Sequence, residues 1–125
     1  MVVSVGVDLI ELGRVRASLQ RFGDRLVKKL MGPEEAARLP REIEVRALAL
    51  AHAIAAKEAA SKALGTGWSR GVRWRDVVLH AGPPPSITLH ERALDVARRL
   101  GSQGLVRLRL ETRGELVLGE VRLIG

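Results

Sequence analysis

The sequence predicts an α+β fold in which a small antiparallel sheet packs against one long central helix. Residues 41–64 are rich in alanine, leucine and glutamate and contain no glycine or proline, which predicts a long helix. Residues 105–110 alternate leucine and arginine ahead of an Arg113-Gly114 hairpin signal, which predicts two paired strands. With 125 residues, 46% of them apolar, the chain can build its own core, and we assign residues 1–125 to a single domain.

The first third of the chain is predicted to hold one strand and three short helices. The apolar, β-branched run 2–7 predicts the strand. The first helix is expected over residues 11–22, with an apolar stripe at spacings of three and four formed by Leu12, Val15, Leu19 and Phe22. Two shorter helices follow, over residues 25–30 with Asp24 as N-cap and from the Gly32-Pro33 turn to Pro40.

The predicted central helix is apolar on nearly every side between Ala47 and Ala56, where only His52 interrupts the run. Such a helix is buried on most sides, and a small monomer has little material with which to cover it. We therefore expect the chain to associate with copies of itself. Gly65-Thr66-Gly67 is predicted to end the helix as a left-handed cap.

The remainder of the chain is predicted to form short strands and one further helix. A rigid proline-rich connector at residues 82–85 separates the first two strands. The predicted elements are strands over 77–79 and 86–89, a helix over 91–100, and a final hairpin of strands over 105–110 and 116–124.

Composition restricts the classes of function. There is no cysteine, so disulfides, zinc–thiolate sites and thiol nucleophiles are excluded. No apolar run is long enough to span a membrane and no signal-peptide pattern opens the chain, so a cytoplasmic location and no membrane partner are expected. The net charge of +7 comes from 17 arginines and 4 lysines, which favours an anionic partner: nucleic acid, a phosphorylated small molecule or an acidic protein.

Two carboxylates occupy unusual positions. Asp8 is expected at the end of the first strand, and Glu58 lies inside the most apolar helix. A carboxylate in such surroundings is costly unless it is paired or binds a cation. Lys62, one helical turn after Glu58, could form a simple helix pair with it while Asp8 caps a helix. The spacing by itself leaves both interpretations open.

Two segments carry a family resemblance. Residues 5–14, VGVDLIELGR, resemble the opening signature of the holo-(acyl carrier protein) synthases, Gly-x-Asp followed by Glu-x-x-Arg. Residues 55–67, AAKEAASKALGTG, are similar to the second signature of that family. The separation of the two segments and the length of the chain also fit. We therefore identify the sequence as a divergent member of this 4′-phosphopantetheinyl transferase family.

The resemblance implies transfer of the 4′-phosphopantetheine arm of coenzyme A to a serine of an apo acyl carrier protein, with release of 3′,5′-ADP. It implies Mg²⁺ as cofactor and a homotrimer with active sites at the subunit interfaces. Asp8 and Glu58 would hold the metal, and Glu58 would also help to deprotonate the serine. Lys62 would neutralise the pyrophosphate. The coenzyme would lie against Gly65, Thr66 and Gly67, and the acidic carrier protein against Arg14 and Arg21.

Elementary chemistry agrees with these roles. Magnesium favours one or two carboxylates completed by water and phosphate oxygens rather than an all-protein cage. Phosphoryl-type displacement needs charge neutralisation and positioning more than covalent catalysis. Glycines allow backbone N–H groups to approach an anionic ligand closely, although Gly65 and Gly67 are also explained by a simple helix stop.

Two places depart from the family pattern. His52-Ala53 stands where the family usually has Gly-Arg, and Arg109–Thr112 stands where it has a Ser/His-containing strand that grips the coenzyme. Arg107, Arg109 or Arg113 is a hypothetical substitute, since guanidinium groups bind phosphate well. The alternative is that these arginines form the solvated face of an alternating strand.

Two other functions stay open at this point. One is a weakened homologue that binds the carrier protein without transfer, which the departures motivate. The other is a basic nucleic-acid-binding domain, which rests on charge alone and has no recognised motif. Trp68 and Trp74 lie among arginines and could stack a base, but we expect them to take part in loop packing at a subunit interface instead.

Overall fold

In the computed structural model, which describes residues 1–125, helices and strands follow one another in the order that the sequence predicts. The elements are β1 (Val2–Glu11), α1 (Leu12–Phe22), α2 (Asp24–Leu30), α3 (Pro33–Ala37), α4 (Ile43–Leu64), a 3₁₀ turn (Trp74–Asp76), β2 (Val77–His80), β3 (Ser86–Leu89), α5 (Glu91–Arg99), β4 (Leu105–Arg113) and β5 (Leu116–Ile124). No helix is long and apolar enough to cross a membrane.

The strands form two antiparallel sheets rather than one. The larger sheet has three strands in the order β1–β5–β4, and β2 pairs with β3 in a separate two-stranded sheet. In the larger sheet Asp8 and Leu110 lie on either side of Gly119. The prediction of an α+β fold with a small antiparallel sheet against a long helix is therefore confirmed. The 77–89 hairpin adds a second sheet because it pairs only with itself.

Helix α4 lies directly on the three-stranded sheet, and two glycines make this close approach possible. A Cβ at Gly6 would lie 2.0 Å from the carbonyl oxygen of Ala59, and one at Gly119 would lie 2.6 Å from that of Ala55. Only a strand position without a side chain can contact the helix backbone in this way. The later part of α4 thus lies over β1 and its middle over β5.

Two clusters of buried side chains cover α4 from different sides. One includes Val72, Val77, Ile87, Ala93, Val96 and Ala97 from the second half of the chain. The other includes Leu12, Val15, Leu19, Val27, Leu30 and Met31 from α1, α2 and the residue after them. Leu50 and Ala56 are fully buried within one chain. Burial of α4 therefore needs no second copy, and the predicted association has to rest on another surface.

Several boundaries differ from the predicted ones. β1 continues to Glu11 because β5 pairs with it over that length, so Asp8 lies inside the strand and not at its end. Asp24 is the first residue of α2, where Gly23 with a φ of 54° precedes it without a side-chain cap. α4 begins at Ile43, and the carboxylate of Glu42 accepts the N–H of Val45 at 2.8 Å.

Candidate active site

The contact between β1 and α4 brings Asp8 to Lys62. The Asp8 Oδ1 and Lys62 Nζ atoms are 2.6 Å apart, and the same ammonium donates to the carbonyl oxygen of Val7 at 3.2 Å. Asp8 is largely buried, with 17% of its side chain exposed, whereas Lys62 is half exposed at 52%. The hydrogen bond to Asp8 raises the pKa of Lys62. Asp8 caps no helix, so that interpretation of its position is wrong.

Glu58 lies one turn before Lys62 on the same helix, but its carboxylate makes no ion pair because Lys62 is engaged by Asp8. Its backbone carbonyl accepts a hydrogen bond from Ser61 Oγ at 2.8 Å. Burial raises the pKa of the Glu58 carboxyl above 4.5, and the negative charge of Asp8 acts in the same direction against the opposing effects of Trp68 and Lys62. Glu58 is therefore a half-buried carboxylate close to another carboxylate.

This pair of acids fits a hard divalent cation. Asp8 and Glu58 supply oxygen ligands from two different elements, and a cation between them would relieve their mutual repulsion. No group of three or more His, Asp or Glu side chains is positioned to enclose an ion. Water and substrate oxygens would have to complete its coordination, which is the arrangement that Mg²⁺ commonly adopts.

The predicted coenzyme-binding glycines lie directly after this turn of α4. Gly65 has the left-handed φ of 77° expected of a helix cap, and Gly67 has a φ of 55°. A Cβ at either glycine would have no atom within 4 Å, so open space faces both positions. The hydroxyl of Thr66 donates to the carbonyl oxygen of Gly67 at 2.9 Å. The backbone here is accessible to a ligand.

Arg14 and Arg21 lie on the exposed side of α1. Arg14 forms a 3.1 Å ion pair with Glu11 and remains 83% exposed. The guanidinium carbon of Arg21 lies 5.2 Å from the centre of the Phe22 ring, and that of Arg25 lies 5.9 Å from it. Phe22 is 42% exposed, so it does not share the burial of Leu12, Val15 and Leu19 in the predicted apolar stripe. We call Arg14, Arg21, Phe22 and Arg25 the α1 patch.

The late-strand arginines do not reach this site within one chain. The alternation of β4 directs Val106, Leu108 and Leu110 toward the core. Arg109 and Arg113 are exposed and pair with Glu111 at 2.8 and 2.9 Å. They occupy the solvated face of an alternating strand, as does the exposed Arg107. Their hypothetical role as substitutes for the coenzyme contacts is not supported by this arrangement.

His52 and Ala53, which stand where the family usually has Gly-Arg, lie in a different environment from the late-strand arginines. The imidazole Nε2 of His52 lies 2.8 Å from the hydroxyl oxygen of Thr112, and Ala53 is buried against the core. Burial lowers the pKa of His52, which makes the neutral ring the dominant form near pH 7. His52 and Thr112, together with Pro85 and Leu110, line a cleft of about 300 Å³ whose lining carries no formal charge.

Two features near the site were missed by sequence reasoning. Lys57 is fully buried, and its ammonium donates to Glu35 Oε1 at 2.9 Å, to Trp74 O at 3.1 Å and to Val77 O. Trp68 stacks on Trp74 with ring centres 4.0 Å apart. The indole N–H of Trp68 is buried without a hydrogen-bond partner of good geometry. It opposes the rise in the pKa of Glu58 that burial causes.

Comparison with known proteins decides the family. The profile of the 4′-phosphopantetheinyl transferase superfamily matches residues 4–118. The holo-[acyl-carrier-protein] synthase of Desulfovibrio desulfuricans is 44% identical over 103 residues, which are 81% of each chain. The chain belongs to the 4′-phosphopantetheinyl transferase superfamily. It is an enzyme of the phosphopantetheinyl transferase class, and the nucleic-acid-binding alternative still rests on net charge alone.

Solved phosphopantetheinyl transferases share the fold. The holo-[acyl-carrier-protein] synthase of Neisseria meningitidis superimposes with a TM-score of 0.80 at 25% identity and full coverage of both chains. The holo-(acyl-carrier-protein) synthase of Bacillus anthracis, in complex with CoA (3′,5′-ADP), gives a TM-score of 0.71 at 26% identity, covering 98% of this chain and 96% of that one.

Proposed function

We propose that this protein transfers the 4′-phosphopantetheine group of coenzyme A to a serine of an apo acyl carrier protein in a magnesium-dependent reaction. The observation that carries the proposal is the convergence of Asp8, Glu58 and Lys62 beside the open Gly65–Gly67 backbone. The solved relative from Bacillus anthracis with CoA (3′,5′-ADP) bound supports the choice of coenzyme. The products are the holo carrier protein and 3′,5′-ADP.

In the proposed reaction, the serine oxygen attacks the phosphorus that carries the pantetheine arm. A serine O–P bond forms, and the bond from that phosphorus to the bridging oxygen of the pyrophosphate breaks. Glu58 accepts the hydroxyl proton, a role that a raised pKa favours because the base then holds the proton more strongly. The leaving oxygen stays on 3′,5′-ADP, where Lys62 stabilises its charge.

Asp8 and Glu58 would hold the magnesium ion. When bound, the ion supplies charge neutralisation at the pyrophosphate oxygens. Asp8 also orients Lys62 through the 2.6 Å contact, so the ammonium stays at the edge of the site when no substrate is present. Open backbone at Gly65 and Gly67 gives the phosphates room to approach the end of α4.

The α1 patch is the proposed docking surface for the carrier protein. It presents the guanidinium groups of Arg21 and Arg25 beside the exposed Phe22 ring. Arg14 lies further toward the start of α1, next to a cleft of about 270 Å³ that Leu9 also lines. An acidic partner would gain from charge attraction at the arginines and from burial of the ring. Of the two anionic partners in the proposed reaction, only the protein is large enough to cover this surface.

We also propose a homotrimer, with the outer face of the three-stranded sheet as its interface. Val5, Val7 and Leu9 project from β1 on the side away from α4 and are 50%, 46% and 57% exposed. Exposed apolar residues in a row along an edge strand are typical of a surface that another chain covers. The expected mass by light scattering is that of three chains, and a monomer mass would contradict this part of the proposal.

The transfer itself is tested by mass spectrometry. The protein is incubated with coenzyme A, Mg²⁺ and an apo carrier protein, and the carrier should gain the mass of the phosphopantetheine arm. Glu58→Gln should abolish transfer, and Asp8→Asn should abolish or strongly reduce it. Asp95→Asn is a matched control because Asp95 is exposed on α5 and takes no part in the contacts of Asp8, Glu58 and Lys62. Near-normal rates in both site variants would overturn the metal-pair argument.

Calorimetry distinguishes a transferase from a homologue that binds the carrier protein without transferring the phosphopantetheine group. An enzyme should bind coenzyme A with an affinity that depends on Mg²⁺, and EDTA should reduce it. Binding of carrier protein without any binding of coenzyme A would instead show that the fold persists without the chemistry.

A further inference from the structure

A second polar cleft lies away from the candidate active site. It has a volume of about 550 Å³, roughly twice that of the cleft beside α1, and opens between α3, β2 and the start of α5. Its lining includes Arg38, Arg75, Glu34, His80 and His90. None of these residues belongs to the Asp8–Glu58–Lys62 group or to the α1 patch, and the proposed transfer leaves this cleft unexplained.

The negative charge of Glu35 at the floor of the cleft is neutralised by a buried lysine. Glu35 is only 7% exposed, and its two carboxylate oxygens accept the Lys57 ammonium at 2.9 Å and the Leu79 N–H at 3.0 Å. Its negative charge is thus already compensated by a buried cation. A ligand in the cleft would meet the Glu35–Lys57 pair as a neutral surface.

The walls of the cleft carry an excess of positive charge. Arg38 and Arg75 are exposed and form no ion pair, so their guanidinium groups are free to bind. Glu34 is the one carboxylate on the walls, so two guanidinium groups face a single free acid. His90 immediately precedes α5, which places the amide end of a nine-residue helix at the rim. That end of a helix favours negative charge, although Glu91 in its first turn already meets part of this preference.

The lining residues and the volume of the cleft exclude a metal ion and other single inorganic ions as its ligand. No three His, Asp or Glu side chains converge to hold a metal ion, so the two histidines and two glutamates do not form a cation site. The volume lies within the range of small-molecule sites and exceeds that of a single inorganic ion. Guanidinium groups bind phosphate and carboxylate through paired N–H donors.

We propose that this Arg38–Arg75 cleft binds a small organic anion through a phosphate or carboxylate group, at a site separate from that of the coenzyme. Arg38 and Arg75 supply the charged donors. The Glu35–Lys57 pair forms the floor and keeps the cleft free of further negative charge. This proposal does not depend on the transfer reaction.

Isothermal titration calorimetry at low ionic strength tests the site, with inorganic pyrophosphate and succinate as probes for the two anion chemistries. Lys62→Ala serves as the background protein because it removes the competing phosphate-binding cation of the candidate active site. We expect one equivalent of at least one probe to bind this protein. Introducing Arg38→Ala and Arg75→Ala together should weaken that binding by about tenfold or more. Arg98→Ala and Arg99→Ala together remove the same two units of charge from the exposed end of α5 and should leave binding unchanged.

Circular dichroism verifies that the variants fold, and the milder Arg38→Gln and Arg75→Gln variants replace the double alanine variant if it does not. Binding of pyrophosphate alone assigns the cleft to phosphates, and binding of succinate alone assigns it to carboxylates. The proposal is overturned if neither probe binds, or if loss of Arg38 and Arg75 affects binding no more than loss of Arg98 and Arg99 does.

Discussion

The buried Lys57–Glu35 pair offers a quantitative test of how α3 is held against α4. The Lys57 ammonium meets three acceptors, and a neutral amine has only two N–H donors. Lys57 is therefore charged in the native state, even though burial lowers its pKa. Replacing Glu35 with glutamine keeps one oxygen to accept from Leu79 but removes the charge that balances the ammonium.

The expected loss follows from the pKa of lysine. In the variant, Lys57 can avoid being a buried charge without a partner by losing its proton. The free energy of that deprotonation at pH 7 is about 1.36 kcal/mol for each of the roughly 3.4 pH units that separate pH 7 from the unfolded-state pKa. That limits the loss to about 4.6 kcal/mol, within the range of about 3–5 kcal/mol seen when one partner of a buried pair is removed. At pH 9 the same cost is about 1.9 kcal/mol.

Urea unfolding at pH 7 and pH 9 checks both values. Deprotonation becomes easier as the pH rises toward the unfolded-state pKa, so the Glu35→Gln variant should recover about 2.7 kcal/mol relative to the parent between these two pH values. Glu34→Gln is the matched control, because Glu34 is the exposed neighbour and should change stability by less than about 0.5 kcal/mol. Adding Lys57→Met to Glu35→Gln removes the stranded cation and should restore part of the loss. A loss that is absent at pH 7, or that stays constant up to pH 9, would refute the reasoning.

Three further predictions concern the site and its supports. Glu58→Gln should raise the melting temperature above that of the parent at pH 7 and leave it unchanged below pH 4.5. Because the pKa of Glu58 is raised in the folded state, the parent loses stability as the pH rises through that pKa, whereas the glutamine variant does not. Thermal unfolding across this pH range measures the difference. Gly6→Ala should destabilise the protein by about 3 kcal/mol or more in urea unfolding, because the new Cβ would lie 2.0 Å from a backbone oxygen of α4. Gly32→Ala is the control: its Cβ would have no atom within 4 Å, so this variant should be tolerated. Phe22→Ala should raise the KM for the carrier protein by about tenfold with little change in kcat, and an unchanged KM in steady-state kinetics would remove the α1 patch from the docking surface.

Sequence patterns predicted the elements whose faces are defined by their own periodicity. The alternation at 105–110 correctly indicated which side of β4 faces the core, and the long uninterrupted run before Gly65 gave α4 with its left-handed cap. Asp8, Glu58 and Lys62 were found because two motifs carry them, and β1 and α4 then place them together. Local pattern and motif were enough for these features.

Features that depend on tertiary contacts were not predictable in this way. Lys57 and Glu35 are 22 residues apart in the chain, and nothing in either local segment indicates that α3 supplies the partner of a buried lysine. Phe22 continues a helical spacing past the last turn of α1 that meets the core, so the periodicity overstated its burial. The continuation of β1 beyond Asp8 is decided by its pairing with β5 rather than by its own residues.

The two motifs that indicated the family are the two sides of one contact. Gly6 and Asp8 are two positions apart on β1 and so face the same side of the sheet. Gly6 brings β1 against Ala59 and Ala63 of α4, and the neighbouring Asp8 thereby reaches Lys62. A side chain at position 6 would separate strand and helix and would move Asp8 away from Glu58. The glycine of Gly-x-Asp therefore contributes to the proposed metal site without touching it, because it sets the distance between the two carboxylates.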